Sequence, residues 1–231
     1  MRKYLLFFIC FVFFSFSVYA NDKGDGGFSL SKTRVIYNSG DSSQSFYVIN
    51  STKDVSFLAQ SWITDYLHDG NASNVTITPP LYKQVPGRNM LKVMMSGVGL
   101  PQDRESAYWI NVKAIPSTAR NNGNAVTIKI AYVLRVKLFY RPKGVAGDPL
   151  LAYKALRFIN EGKVLKVINP TPYYISLNEL SVGGVKVKNL SAMVPPKGEV
   201  SYNLDSEKVG SVKYSTINDY GVVTPVVEVS N

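Results

Sequence analysis

Asp65, His68 and Asp69 lie together in Asp65-Tyr-Leu-His68-Asp69-Gly70, and His68 is the only histidine of the 231-residue sequence. Carboxylates and an imidazole at this spacing could ligate a metal ion. A closed site needs more ligands than the stretch offers, so the solvated tip of a hairpin loop is the preferred reading. Cys10 is the only cysteine, no serine has a second base near it in sequence, and the carboxylates are scattered singly rather than paired for acid–base work. An enzyme is not expected, nor a cofactor, nor a bound metal. Four Asn-x-Ser/Thr sequons, at Asn50, Asn71, Asn74 and Asn189, are short enough to arise by chance.

The run from Asn124 to Pro142 points to binding instead. Val126, Ile128, Ile130, Tyr132, Leu134 and Val136 make an unbroken apolar row, and the alternate positions include Lys129, Arg135 and Lys137. Period-2 alternation of β-branched and aromatic residues predicts a strand with one greasy and one basic face. At about 3.3 Å per residue, residues 125 to 140 would extend roughly 50 Å, far beyond the usual five or six residues. A long core strand bent between two sheets would explain the alternation but neither the length nor the basic stripe.

Such a strand needs a scaffold, and the rest of the chain reads as one. Met1 to Ala20 has the form of a cleaved secretory signal: Arg2 and Lys3, an apolar run from Tyr4 to Val18, then Val18-Tyr19-Ala20. Its apolar run is shorter than the ~20 residues a spanning helix needs, and no stop-transfer segment follows, so no membrane span is expected. Cys10 leaves with the signal. The 24 remaining Lys and Arg stand against 16 acids, a formal charge of +8 that favours acidic partners or carboxylate termini. Nucleic acid is not an expected target outside the cytoplasm.

From Gly27 onward the pattern predicts strands over Phe28–Tyr37, Gln44–Ile49, Val55–Trp62, Asn74–Thr78, Met90–Met95, Tyr108–Ile115 and the long run. Turn clusters such as Asn38-Ser39-Gly40-Asp41 and Asn121-Asn122-Gly123-Asn124 separate them. Seven short strands with turns at this spacing predict an immunoglobulin-like sandwich. The turn-rich segment Arg141 to Pro149 then predicts a boundary. Beyond it, strands over Lys154–Ile159, Lys163–Ile168, Tyr173–Leu180, Lys186–Asn189, Glu199–Asn203, Ser211–Asn218 and Val222–Val229 predict a second, smaller sandwich. The expected fold is all-β: a signal over 1–20, an N-terminal domain over 21–142, and a C-terminal domain over 143–231.

Leu100 to Pro116, L-P-Q-D-R-E-S-A-Y-W-I-N-V-K-A-I-P, combines a turn, a charged cluster and a strand. It closely resembles the signature of the periplasmic pilus-assembly chaperones of the chaperone–usher pathway. Thr33-Arg34-Val35-Ile36-Tyr37, Lys137-Leu-Phe-Tyr-Arg141-Pro142, Asn169-Pro-Thr-Pro-Tyr-Tyr174 and Ile217-Asn-Asp219-Tyr-Gly221 agree in the same order. The resemblance spans essentially the whole mature chain.

The resemblance implies two sandwiches set at an angle around a cleft. Arg34 and Lys137 would grip the C-terminal carboxylate of a pilus subunit there. Val126, Ile128, Ile130 and Tyr132 would complete the subunit's open core by donor-strand complementation, a case used as a standard illustration of strand addition. Glu105, Arg141 and Asp219 would form an ion cluster holding the interdomain angle. Ser117 to Ala125 is short, as in the short-loop branch of the family, and Tyr132 is bulkier than the aliphatic residues usual there. The implied setting is the periplasm, with fimbrial subunits and an outer-membrane usher as partners and self-association of the free form. A secreted tandem immunoglobulin-like structural or adhesive subunit is the other reading. It fits less well, because Asn21-Asp-Lys-Gly-Asp-Gly-Gly is polar where a subunit would carry an apolar donor extension.

Overall fold

The structure is a computed structural model that describes residues 26–117, 130–207 and 209–230. Its first part contains β1 (Phe28–Leu30), β2 (Arg34–Asn38), β3 (Gln44–Asn50), β4 (Phe57–Asp65), β5 (Val75–Thr78), β6 (Leu81–Gln84), β7 (Gly87–Met95), β8 (Ser106–Pro116) and β9 (Tyr132–Arg141). A four-stranded sheet, β1-β3-β7-β5, packs on a five-stranded one, β2-β9-β8-β4-β6. Alternation makes the core: Phe46, Val48, Leu91 and Val93 from the first sheet meet Val35, Ile110, Val112 and Leu138 from the second, all nearly or fully inaccessible.

Two elements differ from the sequence pattern. Phe28–Tyr37 is not one strand: Ser31, Lys32 and Thr33 interrupt it, so β1 pairs with β3 in one sheet while β2 pairs with β9 in the other. The chain changes sheets at this corner, and because Phe28, Val35 and Tyr37 all still reach the same core, the apolar pattern hides the break. β6 was not expected after Pro79-Pro80; it is a short edge strand on β4, a position that tolerates a neighbouring proline.

The topology leaves one strand half-paired. β8 pairs with β9 along its length, from Ser106 opposite Tyr140 to Ala114 opposite Tyr132. On the other edge β2 runs parallel to β9 but only from Arg34 opposite Lys137 to Asn38 opposite Arg141. Among the described residues, Tyr132 to Val136 have no strand on that edge.

The second part opens with a single 3-10 turn (Ala152–Ala155), followed by β10 (Arg157–Glu161), β11 (Val164–Asn169), β12 (Ser176–Val182), β13 (Val185–Lys186), β14 (Gly198–Asn203), β15 (Val212–Ile217) and β16 (Val227–Val229). Sheets β10-β11-β14 and β13-β12-β15-β16 enclose a separate core around Leu165, Val167, Leu180, Val212 and Tyr214. Asn169, fully buried, organises the turn between β11 and β12. Its amide donates to the carbonyls of Tyr173 (2.7 Å), Pro195 (3.0 Å) and Val194 (3.3 Å), and its oxygen accepts from the Thr171 amide and hydroxyl. Replacing it strands several buried carbonyls at about 1–3 kcal/mol each. Asn169→Ala is therefore expected to lower stability by about 3 kcal/mol or more, read as a shift in the urea midpoint of the C-terminal sandwich.

Candidate functional site

Arg34 begins β2 directly opposite Lys137 of β9, so parallel pairing sets the two cations side by side at the point where the free edge of β9 starts. Alternation sends Val136 and Leu138 into the core and Lys137 to the opposite face, toward the second sandwich. Arg34 is only 9 % exposed; its guanidinium donates to the Ile217 carbonyl at 2.9 Å and its buried Nε finds no partner. Lys137 Nζ reaches Ser176 Oγ at 3.1 Å. Among the described residues neither cation forms an ion pair. Desolvation, with Arg34 adding repulsion, pulls the Lys137 amine down to about 8. Desolvation lowers Arg34 as well, offset by Asp219 and Glu105. Two like charges withdrawn from water without a counter-ion are costly, and an anion placed between them would relieve that cost.

The second group lies four residues further along β9. Arg141 Nε and NH2 donate to Glu105 Oε1 at 2.8 and 2.7 Å, and NH2 also meets Asp219 Oδ2 at 2.8 Å. The other Glu105 oxygen accepts the Tyr174 amide at 2.8 Å, while the Glu105 amide donates to the Pro172 carbonyl at 2.9 Å. Glu105 belongs to the first sandwich; Tyr174, Pro172 and Asp219 belong to the second. Burial pushes the Glu105 carboxyl up to about 6 against the pull of Arg141 and the Tyr174 amide. Arg141, itself desolvated, is held above its ordinary value by the two carboxylates. Beside this cluster Ala107, Phe139 and Met193 form an apolar contact bordered by Ile36, Tyr66 and Tyr174.

Of the expected donor-strand positions, Val126 and Ile128 lie outside the described residues. Ile130 is 73 % exposed. Tyr132 is half-buried, edge-on to Phe28 with ring centres 6.2 Å apart, and packs against the first sandwich's own core. Asp65, His68 and Asp69 do not converge on a metal position, and no group of three such ligands occurs among the described residues. Asp65 Oδ1 instead accepts the Leu67 and His68 amides, which closes the turn, and Asp69 turns to Arg135. Asn50 is 2 % exposed, its amide held by the Val55 and Gln84 carbonyls, which removes that sequon from use. Ser176 was missed by sequence reasoning because no local pattern marks a hydroxyl whose partner lies 39 residues away.

Comparison with known proteins agrees over both sandwiches. Residues 27–146 match the pili and flagellar-assembly chaperone, PapD N-terminal domain, and residues 151–227 match the pili assembly chaperone PapD, C-terminal domain. The chain belongs to the pilus-assembly chaperone family. This chaperone is 42% identical over 199 residues to the probable fimbrial chaperone LpfB of Escherichia coli O157:H7, covering 85% of each chain. It is 39% identical over 207 residues to the chaperone protein FimC of Escherichia coli K12, covering 88% of this chain and 84% of FimC. Among solved structures, it superposes on the periplasmic chaperone SfaE with a TM-score of 0.73 at 38% identity, over 87% of this chain and 98% of the other. The complex of the Salmonella enterica SafA pilin with the SafB chaperone contains a chain that matches with a TM-score of 0.80 at 27% identity, over 89% and 97% of the two chains. The family is one of chaperones, not enzymes.

Two outcomes follow from the electrostatics. Because Lys137 titrates near 8 when folded and near 10.5 when unfolded, its charge opposes folding below about pH 8, and the penalty fades as pH rises between the two values. Lys137→Met is accordingly expected to melt at or above the wild-type temperature below pH 8, with the gap closing by pH 10.5 in thermal scans. Asp219→Asn removes one of two carboxylates from Arg141, and the small-angle scattering profile of the free chaperone should change; an identical profile would show that Asp219 does not hold the angle.

Proposed function

We propose that this chaperone binds pilus subunits in the periplasm by strand addition to the free edge of β9, caps them, and passes them to an outer-membrane usher. In this reading residues 21–142 form the subunit-binding domain and residues 143–231 close the other side of the cleft. The observation that carries it is the place where β2 stops: the free edge of β9 ends against two uncompensated cations.

That placement also favours one orientation. A strand entering antiparallel to β9 would bring its amino end to Arg34 and Lys137, and like charges would repel. One entering parallel brings its carboxylate there. Parallel pairing is slightly weaker per residue than antiparallel, so the charges must decide. An arginine and a lysine suit the task, the first by its forked donors and the second as a compact charge. Each charge-assisted hydrogen bond contributes about 1.5–3 kcal/mol.

With the carboxylate held, register is set. Val126, Ile128 and Ile130, with Tyr132 at the root of the row, would face the subunit's open core, where each fully buried aliphatic side chain contributes about 1.5–3 kcal/mol. A slip of one residue would present the Lys129 and Arg135 face instead. The relatives named fimbrial chaperones and the SafA pilin–SafB complex support the same reading. A free edge of this kind also invites self-pairing, which supports self-association of the unliganded form.

Co-expression with candidate pilins tests the clamp. Arg34→Ala and Lys137→Ala are each expected to leave the chaperone soluble in the periplasm while co-purified subunit is lost. Subunits that remain soluble and bound to both variants would remove the clamp.

A further inference from the structure

Next to the clamp, on the same face of β9 and one pleat nearer the free end, stands Arg135. It does not point along the free edge. Its NH2 meets both Asp69 oxygens at 2.7 and 2.9 Å, its Nε donates to Asn111 Oδ1 at 2.6 Å, and its guanidinium lies 5.7 Å from the centre of the Trp109 ring. Asn111 and Trp109 are on β8, which flanks β9 on the side away from the free edge. The arginine is thus drawn back across β8.

The chain holds Asp69 in place for this contact. Asp65 Oδ1 accepts two amides of the turn, the Asp69 amide returns to the Asp65 carbonyl at 3.2 Å, and Asp69 itself adopts a left-handed φ of 54°. Thr64 Oγ1 donates to Asp69 Oδ1 at 3.0 Å, and the fully buried Asn111 donates back to Thr64 Oγ1 at 3.2 Å. Loop, β4, β8 and β9 therefore all contribute to one tether.

On the reading that a subunit strand pairs with the free edge, one of its last residues falls in register with Arg135 and presents its side chain on Arg135's face. We propose that Asp69 sets which side chain is accepted there: by drawing the guanidinium back over Asn111 and Trp109, it offers the incoming strand the methylene stem of Arg135 instead of its charge. The position beside the clamp is then apolar and takes an aliphatic or aromatic residue. Asp69 is a positioning residue and touches no subunit atom. Its charge also cancels that of Arg135, so an acidic residue finds no free cation at this level and does not compete with the terminal carboxylate for register.

The test uses the full mature chain and synthetic peptides that mimic a subunit's last strand, each with a free carboxylate and with Phe, Glu or Lys at one of the last four positions. Binding is read by fluorescence anisotropy. At one of those positions the wild type should prefer Phe to Glu by about fivefold, the size of a surface charge contact. Asp69→Asn should release Arg135 and raise Glu affinity there by about the same factor, leaving Phe unchanged. Arg135→Met should keep the Phe preference and abolish the effect of Asp69→Asn. Equal binding of Phe and Glu at all four positions, or an unchanged preference in Asp69→Asn, would overturn the proposal. Amidated peptides separate it from the reading beneath: if they bind the wild type as well as the acids do, or if no peptide binds at all, the strand-addition clamp itself is at fault.

Discussion

From Val136 back toward Tyr132, β9 has hydrogen-bonding groups on one side that no strand among the described residues takes up. A strand edge is a row of unmet donors and acceptors, and proteins ordinarily cover or blunt it. Here the covering strand, β2, starts only at Arg34, because the chain before it crosses into the opposite sheet. That crossing makes the opening, and the same residue that ends the opening is one of the two cations. Edge and clamp are therefore one structural event, which is why a change at Arg34 could not be compensated by a charge placed elsewhere on the sheet.

The second sandwich makes the clamp expensive to leave empty. Ile217 and Ser176 supply neutral oxygens to Arg34 and Lys137, enough to orient them but not to neutralise them. Desolvation by the facing domain is the largest cause of the lowered Lys137 value. An exposed pair of cations would be cheap to keep and would bind an anion weakly. Bringing them under a second domain makes both quantities larger, so distance between the two sandwiches controls affinity. The Glu105–Arg141–Asp219 cluster, the Tyr174 amide and the Phe139–Met193 contact are what hold that distance. Glu105, pushed upward by burial, contributes more to orientation than to net stability.

Much of this was legible without coordinates. Period-2 alternation identified nearly all the strands, since a half-buried sheet requires apolar residues at every second position. The motifs around Arg34, Glu105, Lys137, Arg141 and Asp219 pointed to the same site, and the fold brings those residues to two neighbouring clusters along β9. The corner at Ser31–Thr33 and the short strand β6 were not legible, because a change of sheet leaves the inside–outside pattern intact. Asp69 was noticed for the wrong chemistry: its neighbours in sequence suggested a metal, whereas its partner, Arg135, is 66 residues away.

Local pattern by itself determined that the chain is β throughout, where its apolar faces lie, and which charged residues stand on strands, because these depend only on the pleat and on side-chain type. Tertiary structure alone decided which strand edge stays open, which cations lose their water, and which carboxylate each arginine meets. Those outcomes depend on pairings between segments far apart in the chain, and on desolvation by a second domain, neither of which leaves a periodic trace in the residues themselves.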